Sequence, residues 1–183
     1  QLTSLQLLGY IQNPEMQKVL MALPQIESFQ EDCDMPGSML AFLPTTLTSL
    51  STPIFKSDPF PKELADTSWI KRFDLTKVHF TGKTAHGSLM MDTIFHVTRL
   101  CDLDLDISLD RSDWERLMDF PQFTNLTRLR ARIDFHFVQI ARIFSLPALE
   151  TLSLTGMANG KLELSETMTV TQLTSLHIQG DFA

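Results

Sequence analysis

Val97 to Ile107 reads "VTRLCDLDLDI" and Phe123 to Ile133 reads "FTNLTRLRARI", two stretches with one apolar skeleton under opposite charges. Val97, Leu100, Leu103 and Leu105 keep the spacing L-x-x-L-x-x-L-x-L in the first; Phe123, Leu126, Leu129 and Ala131 keep it in the second. The alternation that ends each copy is the period of a strand with one buried face. It turns Asp102, Asp104 and Asp106 of one copy, and Arg128, Arg130 and Arg132 of the other, outward onto a common surface.

The same skeleton recurs along the chain. With its third apolar position as anchor, the copies fall at Leu5, Phe29, Leu50, Phe73, Leu103, Leu129, Leu152 and Leu176. Successive gaps are 24, 21, 23, 30, 26, 23 and 24 residues, nearly all within the range of about 20 to 29 that marks one family of stacked repeats. This skeleton and period resemble the leucine-rich repeat of the irregular, intracellular type. The resemblance implies an α/β solenoid of about eight repeats, one domain over residues 1–183. A curved parallel sheet would form its concave face, with short helices and irregular returns on the convex face. A chain that opens inside a repeat, without Met, is expected to be a fragment of a longer array.

The returns read unevenly. Asn13, Pro14 and the apolar set Met16, Val19, Leu20 and Leu23 predict a capped helix. A single turn is expected over residues 38–43 and a short helix near Lys62 to Ala65, after the prolines at 53, 59 and 61. "WIKRFDL" supplies strand four through Ile70, Phe73 and Leu75, and a loop at "FTGKTAHGS" leads to an apolar helix from Leu89 to His96. Ser112 and Glu115 have capping-box spacing. "HFVQIARIFS" predicts a helix burying Ile140, Ile143 and Phe144, whereas the return over residues 156–170 reads as extended around Asn159-Gly160. The family's Asn or Cys five residues past the anchor is replaced by Tyr10, Asp34, Phe55, Val78, Ser108, Asp134, Met157 and Asp181, so the turns after strands three and four must be satisfied differently.

The outward positions have neutral polar ends and a charged centre. Arg72 and Asp74 of strand four join the Asp and Arg rows, with Ser153 and His177 beyond them. Three like charges about 7 Å apart on one strand repel by roughly 0.6 kcal/mol per neighbouring pair in water. An oppositely charged neighbour offsets this, and unbroken stacking pairs Asp102 with Arg128, Asp104 with Arg130 and Asp106 with Arg132. Two readings follow: a lattice that satisfies itself, or an Arg row that can also turn guanidinium forks to an acidic or phosphorylated partner.

Composition narrows the classes. Fifteen basic against twenty-two acidic residues give a net charge of -7, which argues against a nucleic-acid binder, since phosphate tracking concentrates positive charge. Cys33 and Cys101 are too few for a disulfide framework and read as buried thiols of a reducing compartment. No segment is long and apolar enough to span a membrane. "DLDLDISLDRSD" is not a calcium loop, because its sixth position is Ile107 and its twelfth Asp113. "TGKT" lacks the earlier Gly of a phosphate loop, which falls at Lys77, and the five histidines show no metal spacing. Trp69 and Trp114 read as convex-side core.

The expectation is therefore a non-enzymatic, intracellular and cytoplasmic protein-binding module, without catalytic residues, metal, cofactor or small-molecule substrate. Its partner is a protein held on the concave face at Arg72, Asp74, Asp102, Asp104, Asp106, Arg128, Arg130, Arg132, Ser153 and His177. The alternatives are a scaffold subunit fixed in a larger complex, or the substrate-receptor array of an F-box-type ubiquitin ligase.

Overall fold

Residues 2–8, 15–32, 37–55, 62–82, 86–133, 140–156 and 172–180 are described in a computed structural model of the chain. Eight strands form one sheet: β1 (Ser4–Leu7), β2 (Ser28–Glu31), β3 (Ser49–Phe55), β4 (Lys77–Gly82), β5 (Asp102–Leu109), β6 (Arg128–Ile133), β7 (Thr151–Gly156) and β8 (Ser175–Gly180). They lie in sequence order and every neighbouring pair is parallel. A parallel neighbour needs a crossover, and the segments between strands supply it. Among the described residues they hold four α-helices, α1 (Glu15–Met21), α2 (Gly87–Phe95), α3 (Arg111–Met118) and α4 (Ile140–Phe144), together with 3-10 turns such as Gly37–Phe42 and Lys62–Leu64.

One face of the sheet is packed. Phe29, Leu50, Val78, Phe80, Leu103, Leu105, Leu129, Leu152 and Leu154 are buried there, in one cluster with Leu20, Met90, Met91, Ile94, Trp114 and Leu117 from the returns. A side chain enclosed as fully as Leu103 gains about 1.5 to 3 kcal/mol by leaving water. Phe95, Phe120 and Phe123 continue the packing edge to face, at 5.2 and 6.0 Å between ring centres. Gln122 fastens two returns, its side-chain amide donating to the carbonyls of Ile94 and Phe95.

A hydrogen-bond ladder runs under the strand starts. The carbonyl of the residue before each strand accepts two successive backbone N–H groups from the next segment: Glu27 takes Thr48 and Ser49, Thr48 takes Thr76 and Lys77, Thr76 takes Cys101 and Asp102, and so on through Cys101, Thr127 and Glu150. Threonine hydroxyls add a third donor, Thr48 to Glu27, Thr127 to Cys101 and Thr174 to Glu150 at 3.0 to 3.1 Å. This ladder occupies groups that would otherwise be orphaned at the turn.

Strand four is not where the apolar spacing puts it. Residues Thr67–Arg72 form a 3-10 helix capped by Asp66, and β4 begins at Lys77. The anchor is Val78, opposite Leu50 and Leu103, rather than Phe73. The gaps on either side become 28 and 25 in place of 23 and 30. Apolar residues three apart serve a 3-10 turn, which places i and i+3 on one side, as well as a strand anchor. Ile70, Phe73 and Leu75 are buried in either reading. Phe80 and Gly82, assigned to a loop by their turn-rich surroundings, complete β4.

Other local expectations are corrected too. The cap of α3 is Asp110, whose carboxylate accepts from the Asp113 N–H at 2.8 Å, while Ser112 only donates its hydroxyl to that carboxylate. Val19 lies exposed on α1, so Leu20 carries the buried contact. Glu31 is buried on the packed face of β2, where the Thr52 hydroxyl of the neighbouring strand donates to it. The polar residue that weakened the match of strand two is thus answered by a polar residue on strand three. Cys101 is half-buried rather than buried, and its thiol donates to the Arg99 carbonyl. Asn13, Pro14, Cys33 and the return over residues 157–171 lie outside the described residues.

Candidate functional site

Alternation within each strand assembles the open face of the sheet. From β3 to β8 its positions are Ser49 and Ser51; Lys77, His79 and Thr81; Asp102, Asp104 and Asp106; Arg128, Arg130 and Arg132; Thr151, Ser153 and Thr155; and Ser175, His177 and Gln179. Eight of the ten expected contact residues therefore share one surface. Arg72 and Asp74 do not. The Arg72 guanidinium donates to the carbonyls of Ala41, at 2.6 Å, and Leu43, and lies 4.8 Å over the Phe73 ring. Asp74 pairs with Arg99. Both belong to the segment before β4, and their places on the open face are taken by Lys77 and His79.

The row through the middle of the strands is Ser51, His79, Asp104, Arg130, Ser153 and His177, each opposite the next. Ser51 Oγ and His79 Nδ1 share a hydrogen bond of 3.1 Å. His79 Nε2 lies 3.9 Å, and an Arg130 guanidinium nitrogen 3.8 Å, from the same oxygen of Asp104. Burial pushes the Asp104 carboxyl above the usual carboxylate range. His79 and Arg130 pull it down, while Asp106 and Asp102 add to the push. Beside this row Arg128 donates to Asp102 at 3.0 Å. A hollow of about 310 Å³ runs from Ser49 and Ser51 across His79 and Asp104 to Arg128 and Arg130, and a second of about 210 Å³ reaches from Asp104 across Arg132 to Thr155.

The third rung departs from even stacking. Leu105 faces Ala131, but the next partner of β6 is Ser108, which faces Arg132; Asp106 and Ile107 are extra residues on β5. Such a bulge re-aims the side chains at its end of the strand. Asp106 is exposed and stands beside Thr81 of β4. Arg132 is exposed and has no ion pair among the described residues.

Sequence reasoning missed His79 and Lys77 because it placed strand four too early. The signal that finds them is the residue before each strand: Thr3, Thr48, Thr127 and Thr174 each stand two residues before an anchor, and Thr76 stands so before Val78. Among the described residues no group of three or more His, Cys, Asp or Glu side chains could hold a metal ion, and no helix is long and apolar enough to cross a membrane. Comparison with family models, with curated proteins and with solved structures finds no match to this chain.

Proposed function

We propose that this chain is a non-enzymatic protein-recognition module, a leucine-rich-repeat solenoid of about eight repeats in one domain, which binds a partner protein on the open, concave face of its sheet. One observation carries the reading: eight parallel strands in sequence order pack one face against the returns and leave the other polar, with charge concentrated on β4 to β6. A face of this kind fixes a partner's register through complementary charge more than through buried apolar area. The free thiol at Cys101 fits work in a reducing, cytoplasmic compartment. The substrate-receptor array of an F-box-type ubiquitin ligase is one specific form of this reading.

Ser51, His79 and Asp104 stand in the order of an acyl-transfer triad, yet 3.9 Å between His79 and Asp104 exceeds a hydrogen bond. A fixed subunit of a larger complex is the second reading, favoured by Leu8, just past β1, and Leu176 of β8, which are 66% and 51% exposed. Affinity capture with the wild type and with a variant carrying Arg128→Ala, Arg130→Ala and Arg132→Ala separates the two. Partners lost by a variant that still unfolds cooperatively, well above the binding temperature, support open-face recognition; partners kept unchanged overturn it.

A further inference from the structure

The open face has two electrostatic halves. On β5 every outward position up to the bulge is an aspartate, whereas the outward positions of β6, β7 and β8 hold three arginines, hydroxyls, one histidine and one glutamine, with no carboxylate. Within the basic half the arginines are not equivalent. Arg128 is engaged with Asp102 at 3.0 Å and Arg130 only loosely with Asp104 at 3.8 Å. Arg132 is released by the bulge that puts Ser108 opposite it. Arg130 stands 3.8 Å from the Asp104 oxygen, beyond a hydrogen bond, so its guanidinium donors are open to another acceptor.

Arg130 and Arg132 lie about 7 Å apart along one strand, and the strand beside them, about 4.8 Å away, presents Ser153 and Thr155 in register. These corners bring two guanidinium forks and two hydroxyls to one spot, a double positive charge where a carboxylate carries a single negative one. They match the three oxygens and near-double charge of a phosphomonoester. We infer that this quadrangle of Arg130, Arg132, Ser153 and Thr155 holds a phosphoserine or phosphothreonine of an extended partner segment. The inference rests on the open face being the partner surface. A long polyanion such as a nucleic acid would have to cross the aspartates of β5 on a chain of net charge -7, so a short phosphorylated peptide is the occupant that fits.

The neighbouring aspartates add a sequence rule. A peptide crossing the strands covers the distance from the midline of β6 and β7 back to β5, about 7 Å, in two residues at about 3.3 Å each. A Lys or Arg two residues from the phosphorylated one would then meet Asp106 or Asp104.

The test uses immobilised peptide libraries with a fixed central phosphoserine, the same peptides with serine or aspartate there, and flanking positions randomised. Phosphoserine peptides enriched in Lys or Arg two residues away should bind the wild type, with roughly ten- to a hundredfold loss on removing the phosphate. Arg132→Ala should lose as much, and Arg128→Ala less. Equal binding of serine and phosphoserine peptides, or full phosphopeptide binding by Arg132→Ala, overturns the inference. Failure is separable from that of the underlying reading. A partner captured by the wild type, lost by the triple arginine variant and indifferent to phosphatase treatment would overturn the phosphate site and leave open-face recognition standing.

Discussion

Arg132 of β6 stands opposite Ser108 rather than Asp106, although one residue pair earlier in the same strands Leu105 and Ala131 are in step. The charge ladder of the open face is therefore two rungs long, Asp102 with Arg128 and Asp104 with Arg130, and the third basic side chain is left free of it.

Two double-mutant cycles measure that offset. Asp102→Asn with Arg128→Ala should show a coupling of about 0.2 to 1 kcal/mol in urea unfolding, shrinking as salt is added. Asp106→Asn with Arg132→Ala should show a coupling of about zero, within the usual additivity error of roughly 0.3 kcal/mol. A coupling at the second pair equal to the first would mean the strands run in step to their ends.

Arg72 is a structural residue. Its guanidinium spans the Ala41 and Leu43 carbonyls at the end of a 3-10 turn. Arg72→Ala should cost about 1 to 3 kcal/mol in chemical denaturation. Lys should restore little of it, since a point charge cannot bridge two carbonyls as a fork does. Partner binding, measured below the unfolding transition, should be unaffected.

The threonine ladder supplies a small, local effect. Thr127→Val keeps the shape of the side chain but removes the hydroxyl bond to the Cys101 carbonyl, and should cost about 0.5 to 1.5 kcal/mol. Thr98→Val, at an exposed position on the preceding turn, should stay within about 0.5 kcal/mol of wild type. Equal effects at the two sites would remove the ladder as a source of stability.

The pH dependence follows from Asp104, whose carboxyl is raised first by burial. Between its unfolded and folded values the folded chain holds the extra proton. The contribution is thus fully present below the ordinary carboxylate value and is lost as pH rises through the folded one. Asp104→Asn should flatten that segment of the stability curve. Asp110 works in the opposite sense. Hydrogen bonds from the Asp113 N–H and the Ser112 hydroxyl lower it, so its contribution is present above the ordinary value and disappears as pH falls through the folded one. Comparing acid unfolding of Asp104→Asn and Asp110→Asn with wild type checks both signs.

The resemblance of "VTRLCDLDLDI" to "FTNLTRLRARI" was enough to place β5 and β6 side by side in parallel, with Asp102 and Asp104 beside Arg128 and Arg130. It failed at Trp69 to Phe80, where two overlapping apolar sets, Ile70, Phe73 and Leu75 against Leu75, Val78 and Phe80, are both buried. Burial cannot choose between them. The backbone bonds from Thr76 and Lys77 to Thr48, and from Cys101 and Asp102 to Thr76, do. His79 entered the face, and Arg72 and Asp74 left it, on that choice alone.

What the sequence determined by itself was periodic: the spacing of the apolar skeleton in most segments, the alternation of each strand, and hence which kinds of side chain turn inward and which outward. Those properties are local, because spacing along a chain fixes the face a residue occupies. Tertiary structure decided what depends on two segments at once: the start of β4, the bulge that parts Asp106 from Arg132, and the partnering of Glu31 with Thr52. Register is a property of hydrogen bonds between strands, and no pattern within one strand contains it.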